Sequence, residues 1–358
     1  MATFRSFGSR GARIPLAALT VAVVAAIGLT GCSSSSNASD KTGSSSAAAG
    51  GSNSGSKVAI VAYSVPKPAY DALSAGFNTT DQGKGVTFSA SYGASGDQSR
   101  AVSNGQAADY VAFSIEPDMT KLVPDLVSED WNTGPTKGLV SDSIVVIAVR
   151  KGNPLGIKGW DDIVKPGVKI VSPDPGSSGS AKWNLLAAFA HGYINGGGEA
   201  GGEAYLKKFA ANLVSKPASG AVATQTFLSG TGDVLISYEN EAIGAKQKEQ
   251  ALDYVVPDDS FLIENPAAVT KSANQAAKDF LAYVESNAGQ TIFASKGYRP
   301  VLPGVTVGQV QGANDPANPF PTPKTLTKIT DLGGWSSVNT KYFDKSKGII
   351  TNILKSSG

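Results

Sequence analysis

The sequence predicts an α/β protein built as two open α/β lobes with a ligand cleft between them. Short runs of β-branched residues alternate with helix-length segments, the pattern of an open α/β sheet. The apolar runs divide near Asp142 and Tyr238, which assigns 57–142 and 239–358 to the first lobe and 143–238 to the second. The stretch from Lys57 onward is about 300 residues, enough for two lobes of ordinary domain size.

The first element is a leader. Arg5, Arg10 and Arg13 precede an apolar run from Ile14 to Leu29, and Leu29-Thr30-Gly31-Cys32 follows, the order of a signal peptide with a small-residue cleavage site. The run falls short of the roughly 20 residues of a membrane-spanning helix. A cysteine directly after the small residues is the mark of a lipoprotein leader, so 1–31 is expected to be removed and Cys32 to carry the lipid. This is the only cysteine, which excludes an internal disulfide. From Cys32 to Ser56 the chain is almost entirely Ser, Gly, Ala and Asn, too polar to bury a core and suited to a flexible tether. These features place the domain outside the cytoplasmic membrane.

The folded part opens with strand Val58–Ala62 and helix Pro66–Phe77, then strands Val86–Ala90 and Asp109–Phe113. Ser143–Val149, the longest β-branched run, leads into the second lobe. There we expect strand Val168–Ser172, helices Ala181–His191, Glu199–Ala211 and Ala221–Leu228, and strand Val234–Tyr238. A helix Glu239–Gln250, a short run Tyr254–Val256, an apolar stretch Phe261–Val269 and an amphipathic helix Ala273–Asn287 return to the first lobe. Pro316–Pro323 reads as a wrapped loop, and Gly333-Gly334-Trp335 as a segment that packs against a lobe.

Three junctions leading into helices are rich in glycine and serine: Tyr92–Gln98, Pro173–Ser180 and Ala218–Ala221. The first amides of a helix have no partner within it, and the macrodipole favours an anion there. Singly, each junction is explained as well by ordinary capping. Together they lie where open α/β sheets bind ligands. Apart from Asp97 and Asp174, which suit first-turn or capping roles, these loops offer donors and no Lys, Arg or His. A fully ionised oxyanion needs only donors, whereas protonated phosphate would leave an O–H unpaired at a cost of about 1–3 kcal/mol. The chemistry leans toward sulfate, with Asp97 the residue that would overturn it by turning into the cleft.

Other residues look chemical and read as structural. His191 has no second histidine or cysteine to complete a metal site. Glu239 and Glu241 fit the start of a helix. Ser177 and Ser178 lack a matched base, and Gly-Ser-Ser-Gly is not the G-x-S-x-G nucleophile elbow, which disfavours an anchored phosphate- or sulfate-ester hydrolase. Lys246–Glu249 reads as a solvated helix face. A net charge of +2 and no basic run give no sign of a nucleic-acid partner.

Several stretches, in order, carry a family resemblance: Gly93-Ala94-Ser95-Gly96, Val149–Pro154, Trp160–Val168, Ser177–Asn184, Gly232–Ala242 and Tyr298-Arg299-Pro300. On these the chain resembles the periplasmic sulfate-binding proteins of sulfate/thiosulfate ABC importers. The resemblance implies a type II periplasmic-binding-protein fold that closes on dehydrated sulfate, held by helix-terminal amides and not by salt bridges. Carried over, the donors are the Ser95 amide, the Ser178 hydroxyl, the Gly179 and Ser180 amides and the Ala221 amide. Ser180 stands where the family commonly has glycine. Tyr238 stands where it typically has a tryptophan, exchanging a donor-only indole for a phenol that donates or accepts. Ser64, at the end of the first strand, is a second-tier candidate whose default role is helix capping. The resemblance further implies a monomer without cofactor, serving permease subunits and, through them, a cytoplasmic ATPase. Thiosulfate, molybdate and tungstate remain open as alternative ligands.

Overall fold

The computed structural model describes residues 53–357. The expected signal peptide, Cys32 and the tether through residue 52 lie outside the described residues.

The chain begins with β1 (Lys57–Tyr63), α1 (Lys67–Phe77), β2 (Thr87–Gly93), α2 (Ser95–Ser103), β3 (Tyr110–Ala112) and α3 (Glu116–Thr120). β1 lies between β2 and β3, parallel to both. Val58, Ile60 and Ala62 point one way into a core with Tyr70, Leu73 and Phe77 of α1, while Val61 packs on the opposite face with Val102 and Phe113. Two buried faces explain why this strand reads as an unbroken apolar run and not as an alternation.

β4 (Leu139–Arg150) is the longest strand, and Ile144–Val149 are all at most 2% exposed. The second lobe follows: α4 (Trp160–Ile163), β5 (Ile170–Val171), α5 (Gly179–Asn195), α6 (Glu199–Ala211), β6 (Leu213–Ser215), α7 (Gly220–Leu228) and β7 (Val234–Tyr238). Its strands run β4-β7-β5-β6. Then come α8 (Glu239–Gln247), β8 (Leu252–Val255), β9 (Asp259–Val269), α9 (Gln275–Val284), α10 (Asn287–Ser295), β10 (Thr325–Thr327), α11 (Gly334–Val338) and α12 (Ile349–Ser356).

Two strands serve both lobes. β9 pairs with β3 through Ala267–Val269 and with β4 through Leu262–Pro266, while the far half of β4 pairs with β7 and β8. Lobe I and lobe II are therefore joined by an antiparallel ribbon of two long strands. The C-terminal residues Trp335, Val338, Tyr342, Ile350 and Ile353 are buried in the core that contains Trp183, Phe189, Leu206 and Phe209 of lobe II. Trp335 meets Trp183 edge-on at 4.7 Å.

Most boundaries shift by a few residues, and two elements differ in kind from expectation. The helix expected over Ala273–Asn287 is two, because Ser286 caps a second helix by accepting from the Gly289 amide at 3.3 Å. The strand expected over Val168–Ser172 pairs only through Ile170 and Val171.

Candidate anion-binding site

Three helix starts converge where the lobes meet. Each is preceded by a residue in extended conformation: Ala94 before α2, Ser178 before α5 and Ser219 before α7. This turns the first amides of each helix out of the preceding loop, where the helix has no internal partner for them. Ser219 satisfies one of them, its hydroxyl accepting from the Val222 amide at 3.3 Å. Ser178 caps no amide of its own helix, although it is 3% exposed.

Close approach explains the glycines. A Cβ on Gly179 would lie 2.7 Å from Ser114 Oγ, and one on Gly220 would lie 2.9 Å from Val65 and 3.0 Å from Ser180 Oγ. Ser114 and Val65 belong to lobe I, so the first residues of α5 and α7 must lack side chains for the lobes to approach this closely. The Gly96 amide crosses the same boundary to donate to the Ser177 carbonyl at 3.0 Å.

Ser114 holds the centre. Its hydroxyl is 2.7 Å from the Tyr238 hydroxyl, and its amide donates to Ser95 Oγ at 3.0 Å. Its carbonyl accepts from Trp183 Nε1 at 2.8 Å and from Asn265 Nδ2 at 3.0 Å. Ser95 Oγ in turn donates to Asp118 Oδ2 at 2.7 Å, so its hydroxyl is engaged and its amide is the group left to face a ligand. Tyr238 is fully buried at the end of β7, and burial drives its hydroxyl well above the usual phenol range. It stays a neutral hydrogen-bonding group.

The residues expected from sequence therefore fall as follows. Ser95, Gly179 and Tyr238 all touch Ser114, and Ser180 lies against the first residue of α7, next to Ala221. Ser64 follows β1 and shares with Ala221 an open groove of about 480 Å³, also lined by Thr224, Asn240, Glu241 and Tyr298. The other expected residues do not line it. Thr224 Oγ1, Asn240 Oδ1 and Tyr298 Oη are buried there with no hydrogen-bond partner.

Asp97, Glu239 and Glu241 stand in helix first turns as expected, and the structure adds their partners. Asp97 ion-pairs with Arg100 at the surface. Asp174 accepts from the Gly176 amide at 2.8 Å within its own loop. Glu239 is completely buried in a two-point ion pair with Arg299, at 2.7 and 3.0 Å, a stronger reason for its presence than a helix dipole. Glu241 accepts from Ser237 Oγ at 2.9 Å, and burial raises its carboxyl above the ordinary range. His191 is pinned between Asp259 and Asp161, at 3.0 and 3.1 Å. Ser114, Asp118 and Asn265 were not anticipated. Of these, Ser114 alone carried a signal, since Phe113-Ser114-Ile115-Glu116-Pro117 is a fourth strand-to-helix junction of the same kind.

Residues 58–299 match the family of bacterial extracellular solute-binding proteins. The chain is 33% identical to the sulfate-binding protein of Synechococcus elongatus, covering 95% of this chain and 94% of that protein. It is 31% identical to the thiosulfate-binding protein of Pseudomonas aeruginosa, over 79% and 88% of the two chains. Among solved structures, the sulfate-binding protein SubI from Mycobacterium tuberculosis superposes with a TM-score of 0.75 at 43% identity, covering 81% of this chain and 100% of that one.

Proposed function

Because the chain belongs to the bacterial extracellular solute-binding proteins, in their sulfate-binding group, we propose that it captures sulfate outside the cytoplasmic membrane and delivers it to an ABC-type importer. The observation that carries this reading is the meeting of the α2 and α5 starts at Ser114, which bonds Tyr238, with the α7 start lying against Ser180. Among the described residues, no Lys, Arg or His side chain hydrogen-bonds to Ser95, Ser114, Ser178, Ser180 or Tyr238. Neutral donors stabilise a buried dianion through hydrogen bonds without placing a permanent positive charge in the site.

In this reading the amides of Ser95, Gly179, Ser180 and Ala221 and the hydroxyls of Ser178 and Tyr238 hold the anion. Ser114 supports them, since by donating its hydroxyl proton to the Tyr238 oxygen it leaves the one phenol proton for the anion. Ser64 is a peripheral member. Donors come from both lobes, so the ligand stabilises the closed arrangement. Cys32 carries a lipid that tethers the domain at the membrane, a proposal that mass spectrometry of the mature protein tests by the added diacylglycerol.

Thiosulfate is the second reading, supported by its named receptor among the relatives. Calorimetric titration with sulfate, followed by competition with thiosulfate, molybdate and phosphate, decides between them. Sulfate binding that phosphate does not displace is the expected result; no heat with sulfate overturns the reading.

A further inference from the structure

A second groove, of about 890 Å³, opens on another side of the lobe boundary. Six cationic side chains line it. Arg100 and Lys121 come from lobe I, Lys182 and Lys216 from lobe II, and Lys345 and Lys355 from the C-terminal segment. Asp174 is its one carboxylate, and one of its oxygens is already engaged by the Gly176 amide. Arg100 is paired with Asp97 and Lys121 with Asp118. The other four have no carboxylate within ion-pair distance among the described residues.

Lys182 is the most enclosed of these four. Its ammonium donates to Asn339 Oδ1 at 2.9 Å and stands 5.0 Å over the Phe343 ring. Burial pushes its pKa down to about 8, even with Asp118 acting in the other direction. The groove also adjoins the proposed anion site. Pro175 and Gly176 on its wall run directly into Ser177 and Ser178, and the Arg100 guanidinium is 3.4 Å from where a Gly96 Cβ would be, beside the Gly96–Ser177 hydrogen bond. The 480 Å³ groove has Lys67, Lys248 and Lys296 facing Glu241, with Lys67 already paired to Asp71.

We propose that the basic groove is an outer capture site for a small divalent oxyanion, which it concentrates at the mouth and passes to the neutral helix starts behind the Gly96–Ser177 contact. The proposal rests on the receptor reading above. It divides two tasks that conflict at one place: long-range attraction requires net charge, while a selective buried site made of neutral donors excludes it. A cleft lined by one sign of charge raises association rates by about 10- to 1000-fold, an effect that salt screens.

The test is stopped-flow association of sulfate with the full mature protein, comparing wild type with Lys216→Gln/Lys345→Gln/Lys355→Gln. All three side chains are exposed, and none belongs to the proposed ligand set. At low ionic strength the association rate should fall about 10-fold with the dissociation rate unchanged, and the difference should vanish at high salt. Lys216→Gln alone should move the rate in the same direction by less. The control Lys67→Gln/Lys248→Gln/Lys296→Gln carries the same change in net charge on the other groove and should leave the rate near wild type. An unchanged rate in the first triple variant, or an equal fall in both, overturns the capture site while leaving the receptor reading intact. Absence of sulfate binding by wild type overturns the receptor reading itself.

Discussion

Two polar regions lie at similar depth in this molecule and are built on opposite principles. Around Ser114 every direct hydrogen-bond partner is neutral, and the nearest carboxylate, Asp118, accepts from Ser95 and pairs with Lys121. At the joining ribbon, by contrast, charges are buried and set against each other. Arg299 holds Glu239 in a two-point pair, and its backbone exchanges two hydrogen bonds with Asp142 of β4. Asp142 faces Glu264 directly across the β4–β9 pair. Burial, then the Glu264 charge, pushes the Asp142 pKa up to about 8, with Arg299 and Lys328 pulling the other way. The fold keeps charge off the partners of Ser114, whereas where the lobes are joined it pairs one buried carboxyl with Arg299 and holds another protonated.

The sharpest way to break this contrast is Arg299→Ala. It leaves Glu239 buried without its partner and should cost about 3–5 kcal/mol of stability, read as a lower urea midpoint. An unchanged midpoint would show that the ribbon does not depend on the pair. At the neutral centre, Tyr238→Phe should weaken sulfate binding by about 1.5–3 kcal/mol in calorimetry, the worth of a hydrogen bond to a charged group. A loss of stability with no loss of affinity would make Tyr238 a packing residue instead.

Asp142→Asn separates the regions by pH. The folded state keeps a proton on Asp142 up to about pH 8, while the unfolded chain releases it in the ordinary carboxylate range, so stability falls as pH rises through that window. The variant escapes this loss. Its melting temperature should exceed wild type by about 2–4 °C at pH 8, and the gain should fade toward pH 4. A gain independent of pH would assign the effect to packing.

His191 gives the smallest effect. Burial alone would lower its pKa, but the hydrogen bonds it donates to Asp259 and Asp161 outweigh it and hold the value above the ordinary range. Its contribution is present at low pH and is lost as pH rises through the folded-state value. Thermal melts of His191→Gln should show a deficit of about 1 kcal/mol near neutrality and below, shrinking in alkaline buffer.

What the sequence discloses follows the range of the interactions involved. β1, β4 and β7 are legible because burial on both faces leaves continuous β-branched runs, and the three helix starts are legible because capping chemistry is local. Asp118 and Asn265 are not. Each acquires its role from a residue far along the chain, Asn265 from the Ser114 carbonyl 151 positions away. The break between α9 and α10 is a different case: the Ser286 cap and the approach of Gly289 to the Tyr283 carbonyl, where a Cβ would fall 2.3 Å away, are both local, but the apolar periodicity runs straight through them. The cationic groove is assembled from α2, α3, α5, the loop at Lys216 and the C-terminal segment, so no run of basic residues announces it.

The contact between Trp335 and Trp183 has a consequence for how the protein comes to be. Trp183 bonds the Ser114 carbonyl, and Trp335 lies against Trp183, so a residue far downstream of the helix starts braces the centre they share. The cradle is unfinished until Trp335 has been made and has docked on Trp183. A chain cut short before Trp335 retains all the expected ligand groups yet lacks the wall that steadies them.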